Sequence, residues 1–68
     1  MGCADYLKGF AYAKTYHRSV LNKSSDEDIA FLIKDFKSQY RQRRDFQALG
    51  MAGYYWRFLT ERRKHGAV

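Results

Sequence analysis

Few residues in this 68-residue chain have the type and spacing that catalysis or metal binding requires. His17 is the best candidate for a general base, but no acidic residue lies near it in sequence to orient its ring. Cys3 is the only candidate thiol nucleophile and is a weaker one. His17 and His65 lack Cys or acidic companions at the spacing of metal ligands. We therefore expect a protein that is not an enzyme and needs no cofactor, metal or small-molecule substrate.

The acidic triplet Asp26-Glu27-Asp28 is the nearest approach to a cation site. Ser24 with Glu27 fits the capping-box pattern, in which each side chain bonds the other residue's exposed backbone N–H at a helix start. Negative charge in the first helical turn is also favoured by the helix dipole. We therefore interpret the triplet as the beginning of a helix near Ser25.

Basic and aromatic side chains are concentrated in the second half of the chain, whose net charge suggests an anionic partner. Residues 41–68 carry seven basic and two acidic side chains, whereas residues 1–40 carry six and five. A charged surface that only keeps the protein soluble is the competing explanation. Trp, Tyr and Arg dominate binding interfaces, so this half is the candidate binding surface. The candidate partner-binding residues are Arg41, Arg43, Arg44, Tyr54, Arg57, Glu61, Arg62, Arg63 and Lys64, of which Tyr54, Arg57, Glu61 and Lys64 are expected to share one exposed stripe.

One interpretation of residues 45–63 is DNA recognition. Residues 49–52, Leu-Gly-Met-Ala, resemble the turn of a helix-turn-helix, in which a glycine ends one short helix and a second helix follows. The resemblance implies that Trp56 and Leu59 are buried and that Arg57 and the arginines after it approach phosphates or base edges.

The other interpretation is helix packing. Gly50 and Gly53 lie one turn apart, and two small residues at that spacing let a neighbouring helix approach closely. The C-terminal helix is then continuous, and its aromatic residues are divided between the core and an interface with a protein partner. A third alternative is a helix lying on a membrane surface, although its basic residues cluster at both ends and do not line one face.

Three helices are predicted to position these residues, near 5–21, 25–41 and 45–64. The first helix places six residues on one face, namely Tyr6, Leu7, Phe10, Ala13, His17 and Val20. The second has the clearest apolar stripe, formed by Ile29, Leu32, Ile33, Phe36 and Tyr40. Residues 41–44 either end this helix, with Asp45 capping the next, or form a basic turn within one long or kinked helix. The segment 46–59 is apolar on more than one face, which predicts burial by two neighbours or by a partner.

These patterns predict an all-α fold, a small three-helix bundle in which residues 1–68 form a single domain. No apolar stretch is long enough to span a membrane, and the start of the chain lacks the apolar run of a signal peptide. We expect a cytoplasmic regulator or inhibitor, of the kind that phages and mobile elements carry, whose C-terminal half docks on an acidic partner. The expected partner is a protein of a nucleic-acid-handling complex or the nucleic acid itself, and a homodimer is a further alternative.

Overall fold

The computed structural model describes residues 2–66, and the described chain is helical apart from short turns. Its helices are α1 (Gly2–Tyr16), α2 (Arg18–Asn22), α3 (Asp26–Arg43) and α4 (Phe46–Gly66). The prediction of a small all-α bundle is confirmed. The predicted first helix is interrupted at His17, where weak helix formers such as Thr15 and Ser19 are frequent. No helix of the described chain combines the length and the apolar character needed to cross a bilayer.

Helix α3 begins where the sequence predicted, with a serine as its N-cap, but the capping serine is a different one. The N-cap is Ser25, whose side chain accepts a hydrogen bond from the backbone N–H of Asp28 at 3.1 Å. Ser24, the predicted capping residue, instead donates its hydroxyl to the carbonyl of Val20 at 2.8 Å. Consecutive serines offer the same chemistry, so their sequence could not distinguish them. The acidic triplet occupies the first turn of α3, where the helix dipole favours negative charge.

Helices α3 and α4 are separate, which decides between the two predictions for residues 41–45. Arg44 adopts the left-handed conformation at φ 54° and ψ 39°, and its N–H bonds the carbonyl of Tyr40 at 2.7 Å. This geometry ends a helix and is most often found with glycine. Asp45 then caps α4 by accepting from the N–H of Ala48 at 3.1 Å.

Helix α4 packs against α1 on one side and α3 on another, which explains why its sequence is apolar on more than one face. The contact with α1 is backbone to backbone. A Cβ at Gly50 would overlap the Tyr6 carbonyl group and lie 2.9 Å from the N atom of Phe10. A Cβ at Gly9 would lie 2.9 Å from the Cα atom of Gln47. Glycine is therefore required on both helices at their crossing.

The continuity of α4 overturns the helix-turn-helix geometry. Residues 49–52 lie within α4 and form no turn, because Gly50 serves the crossing with α1. Trp56 was expected to be buried under that geometry and is 59% exposed. The predicted packing role is confirmed for Gly50. At Gly53 the atoms nearest to an added Cβ belong to the side chain of Tyr6 and not to backbone.

The core lies where α1 and α3 pack against α4, and it is rich in aromatic rings. Its buried members are Ala13, Leu21, Ile29, Ile33, Tyr54, Tyr55 and Leu59. Burial of a side chain such as Leu21 or Ile29 stabilises the fold by about 1.5–3 kcal/mol. The stripe predicted on α3 is confirmed, since Ile29 and Ile33 are buried and its other members are partly buried. The stripe predicted on the first helix is only partly right, because Leu7 and Val20 are exposed.

Candidate partner-binding surfaces

Arg62, one of the predicted binding residues, is bonded within the protein. Its Nε and one terminal nitrogen donate to Oδ1 of Asp26 at 3.0 and 2.6 Å. The terminal nitrogens also donate to the carbonyls of Ser24 at 2.7 Å and Leu21 at 3.1 Å. These four bonds engage four of the five N–H groups of the guanidinium. Arg62 therefore ties the turn between α2 and α3 to α4, and little of its hydrogen-bonding capacity remains for a partner.

The basic residues that follow Arg62 are more accessible. The Nε of Arg63 is 3.8 Å from Oδ2 of Asp26, and its side chain is 61% exposed. Lys64 is exposed near the end of α4. The positive charges of both residues also suit the C-terminal turn of a helix, where the backbone carbonyls carry partial negative charge. Their presence is therefore explained in part by the helix itself.

The arginine corner, defined here as Arg41, Arg43 and Arg44, surrounds the junction of α3 and α4. All three residues are exposed. Among residues 2–66, no carboxylate lies within 4.0 Å of their guanidinium groups. Beneath them the rings of Tyr40 and Phe46 meet edge to face, with centroids 5.2 Å apart. The corner is thus a fixed bend that presents three cations to solvent.

A groove of about 540 Å³ lies between α1–α2 and the second half of α4, and we refer to it as the α1–α4 groove. Phe10, Tyr54 and Phe58 line its apolar part. The rings of Phe10 and Tyr54 meet edge to face with their centroids 5.4 Å apart, and the ring centroids of Phe58 and Tyr54 are 6.3 Å apart. Tyr54 was predicted to be exposed, but only 8% of it is accessible, because α1 crosses directly over it. It belongs to the floor of the groove and not to an exposed stripe.

Charged side chains from both walls surround this floor. Lys14 and Arg18 line the α1–α2 wall, and Arg57 and Glu61 line the α4 wall. Among residues 2–66, the three cations have no carboxylate within 4.0 Å. Glu61 faces His65, with 3.9 Å between its Oε2 atom and Nε2 of the ring, a contact that becomes an ion pair when His65 is protonated. The groove therefore combines a ring floor with a predominantly positive rim.

The structure brings four of the nine predicted binding residues together in the groove, namely Tyr54, Arg57, Glu61 and Arg62. The arginine corner lies near the opposite end of α4, and Arg57 is about 16 Å along the helix from Phe46 at 1.5 Å per residue. Lys14 and Arg18 were not predicted as binding residues, although their spacing of four residues is compatible with one helix face.

A second, smaller recess of about 290 Å³ opens between α1, α3 and the middle of α4. Ala52 and Gly53 line it together with the large side chain of Trp56. Lys37 of α3 adds one cation. Trp56 is 59% exposed, and tryptophan is enriched at protein interfaces.

The histidine considered above as a general base is bonded to a tyrosine. Nδ1 of His17 is 2.5 Å from the hydroxyl oxygen of Tyr55, and the two rings are stacked with centroids 5.8 Å apart. Burial, with a smaller contribution from the nearby Tyr12, raises the pKa of Tyr55 from 10.0 to about 12. A phenol with this pKa stays protonated near neutral pH, so the Tyr55 hydroxyl is a stable hydrogen-bonding group beneath His17.

Among residues 2–66, no three His, Cys, Asp or Glu side chains come together as a metal site. Cys3 is exposed and is not part of a disulfide. No protein-family model, curated protein or solved structure matches this chain.

Proposed function

We propose that this protein is a non-enzymatic regulator or inhibitor that docks its basic C-terminal half on an acidic surface of a partner protein. The expected partner belongs to a nucleic-acid-handling complex. The observation that carries the proposal is that some arginines are bonded within the protein whereas others are exposed and unpaired among residues 2–66. Arg62 is held by internal bonds, whereas the arginine corner and Arg57 are exposed and face no carboxylate among residues 2–66.

The positive net charge and the ordered backbone of the arginine corner both support this proposal. The formal net charge of +6 draws an acidic partner from a distance, and such attraction raises association rates and weakens with added salt. The arginine corner is attached to two capped helix ends, so its backbone is ordered before binding. An ordered site loses less conformational entropy when a partner binds.

The proposal is tested by capturing partners from a nuclease-treated lysate with two charge-matched variants. In the first variant all three arginines of the corner become Gln. In the second, three exposed lysines away from the corner become Gln, namely Lys8, Lys23 and Lys34. Both variants lose the same charge, and all six positions are exposed, so the fold is expected to persist.

We expect a specific protein to bind the wild type and the lysine variant but not the corner variant, and to be released by salt. Equal losses in both variants would show that net charge alone attracts the partner. If material captured from an untreated lysate is absent after nuclease treatment, nucleic acid is the ligand. Either outcome would contradict docking of the corner on an acidic protein.

A further inference from the structure

We infer that the α1–α4 groove binds an acidic peptide segment that carries a large apolar side chain. The inference rests on the proposed function and identifies a second site for the same class of partner. The apolar side chain enters over the rings of Phe10, Tyr54 and Phe58, and carboxylates on either side of it reach the cations of the rim. Lys14, Arg18 and Arg57 are those cations.

The rings of the floor offer an apolar surface to an inserted side chain. Pockets that bury a large side chain between packed rings are the usual centres of binding energy at protein interfaces. Phe58 is held on one side by the guanidinium carbon of Arg62, 5.6 Å from the ring centroid. Because Arg62 is itself fixed by Asp26 and by the Ser24 carbonyl, this wall is in place before a ligand binds. Because the pocket is already formed, the apolar side chain of a ligand can enter it without rearranging the protein.

The charges of the rim favour a peptide over a nucleic acid. Every phosphate of a nucleic acid is negative, and Glu61 on the α4 wall would repel those that pass it. A peptide can place carboxylates beside Lys14 and Arg18 and a neutral or basic residue beside Glu61. A ligand that matches this groove therefore carries negative charge near Lys14 and Arg18 but not near Glu61.

The orientation of the rings supports the same choice. Single-stranded nucleic acids bind by stacking bases on the faces of accessible aromatic rings. Tyr54 is 8% exposed, and its ring meets Phe10 edge to face, at an interplanar angle of 88°. Tyr54, at the centre of the floor, therefore offers no open ring face to a base, whereas an apolar side chain can pack against the partly exposed Phe10 and Phe58.

The inference is tested with four probes and amide chemical-shift mapping on the whole protein. The first probe is a short polyglutamate peptide with a central Phe-Leu pair, and the second has Ala-Ala in place of that pair. The third is an oligothymidylate of similar length, and the fourth is polyglutamate with no insertion. We expect the Phe-Leu peptide to bind most tightly and to shift the amides of groove residues such as Arg18 and Phe58.

Two double variants with the same loss of charge identify the site. Lys14→Gln with Arg18→Gln removes two cations of the groove, and Lys8→Gln with Lys34→Gln removes two exposed cations elsewhere. Since each exposed pair contributes modestly, the groove variant should weaken binding of the Phe-Leu peptide about fivefold, with little change in the control.

The outcomes separate this inference from the proposed function. If the acidic peptides bind but shift only the arginine corner, or if Phe-Leu and Ala-Ala bind equally, the groove inference is wrong and the proposed function stands. Tighter binding of the oligothymidylate in the groove would also overturn the inference. If no acidic peptide binds and the captured partner is absent as well, both are wrong.

Discussion

Replacement of Arg62 by Met tests whether this residue serves the fold or a partner. Methionine keeps an unbranched apolar stem of similar length, so packing over Phe58 is largely retained while the guanidinium is lost. The four hydrogen bonds to Asp26, Leu21 and Ser24 are then removed together. The turn between α2 and α3 loses its polar attachment to α4.

The magnitude follows from the exposure of the bonded groups. The side chains of Arg62 and Asp26 are 31% and 46% exposed, so water replaces part of what is lost. We assign about 0.5 kcal/mol to the screened ion pair and about 1 kcal/mol to each bond with a backbone carbonyl. The free energy of unfolding should therefore fall by about 2.5 kcal/mol. In a domain of this size that change lowers the Tm by about 15 °C.

Arg63→Met is the matched control, because Arg63 is adjacent, loses the same charge and makes only a 3.8 Å approach to Asp26. Thermal unfolding followed by circular dichroism should give nearly the wild-type Tm for Arg63→Met. Folded Arg62→Met should still capture a partner through the arginine corner, which lies near the other end of α4. Equal Tm values for the two variants, or a binding defect in Arg62→Met without loss of stability, would refute the assignment of Arg62 to the fold.

Two further predictions concern the core and the helix crossing. Gly50→Ala should destabilise the fold by about 1–3 kcal/mol in urea unfolding, because the new Cβ meets backbone atoms of α1, whereas Gly66→Ala meets nothing within 4 Å and should be nearly neutral. A neutral Gly50→Ala would contradict the close packing described. Tyr55→Phe should cost about 1 kcal/mol at neutral pH through the lost bond to His17. Because the pKa of Tyr55 is raised to about 12 in the folded state, the unfolded chain releases this proton first as pH rises above 10. The wild type should therefore lose up to about 3 kcal/mol relative to Tyr55→Phe between pH 10 and 12, and parallel pH profiles would refute the shift.

Local interactions made much of the fold predictable from sequence. The stripe on α3 repeats with the period of a helix, and the acidic triplet marks its first turn within one residue of the observed cap. Asp45 could be recognised as a cap because its side chain needs only the backbone N–H groups that follow it. These signals depend on neighbours in the chain, so they survive without knowledge of the tertiary structure.

The candidate surfaces were less predictable, because exposure depends on which helix covers which face. The sequence of α4 is apolar on several faces, and only the crossing of α1 decides that Tyr54 is covered and Trp56 is exposed. Gly50 was compatible with a turn or with close helix packing, since both use the absence of a side chain. The distinction came from the Tyr6 backbone, which is distant in sequence.

The helical class, the start of α3 near residue 25 and the excess of positive charge in the second half follow from the sequence alone, whereas a helix end before Asp45 was one of two alternatives. Helix periodicity, capping and net charge are properties of short segments or of composition, and no distant contact alters them. Which arginines remain available to a partner depends on how the helices pack. Asp26 and Arg62 are 36 residues apart, and their pairing depends on the antiparallel packing of α3 and α4. The α1–α4 groove likewise exists only because α1 crosses α4 on a pair of glycines, which brings Lys14 and Arg18 to face Arg57.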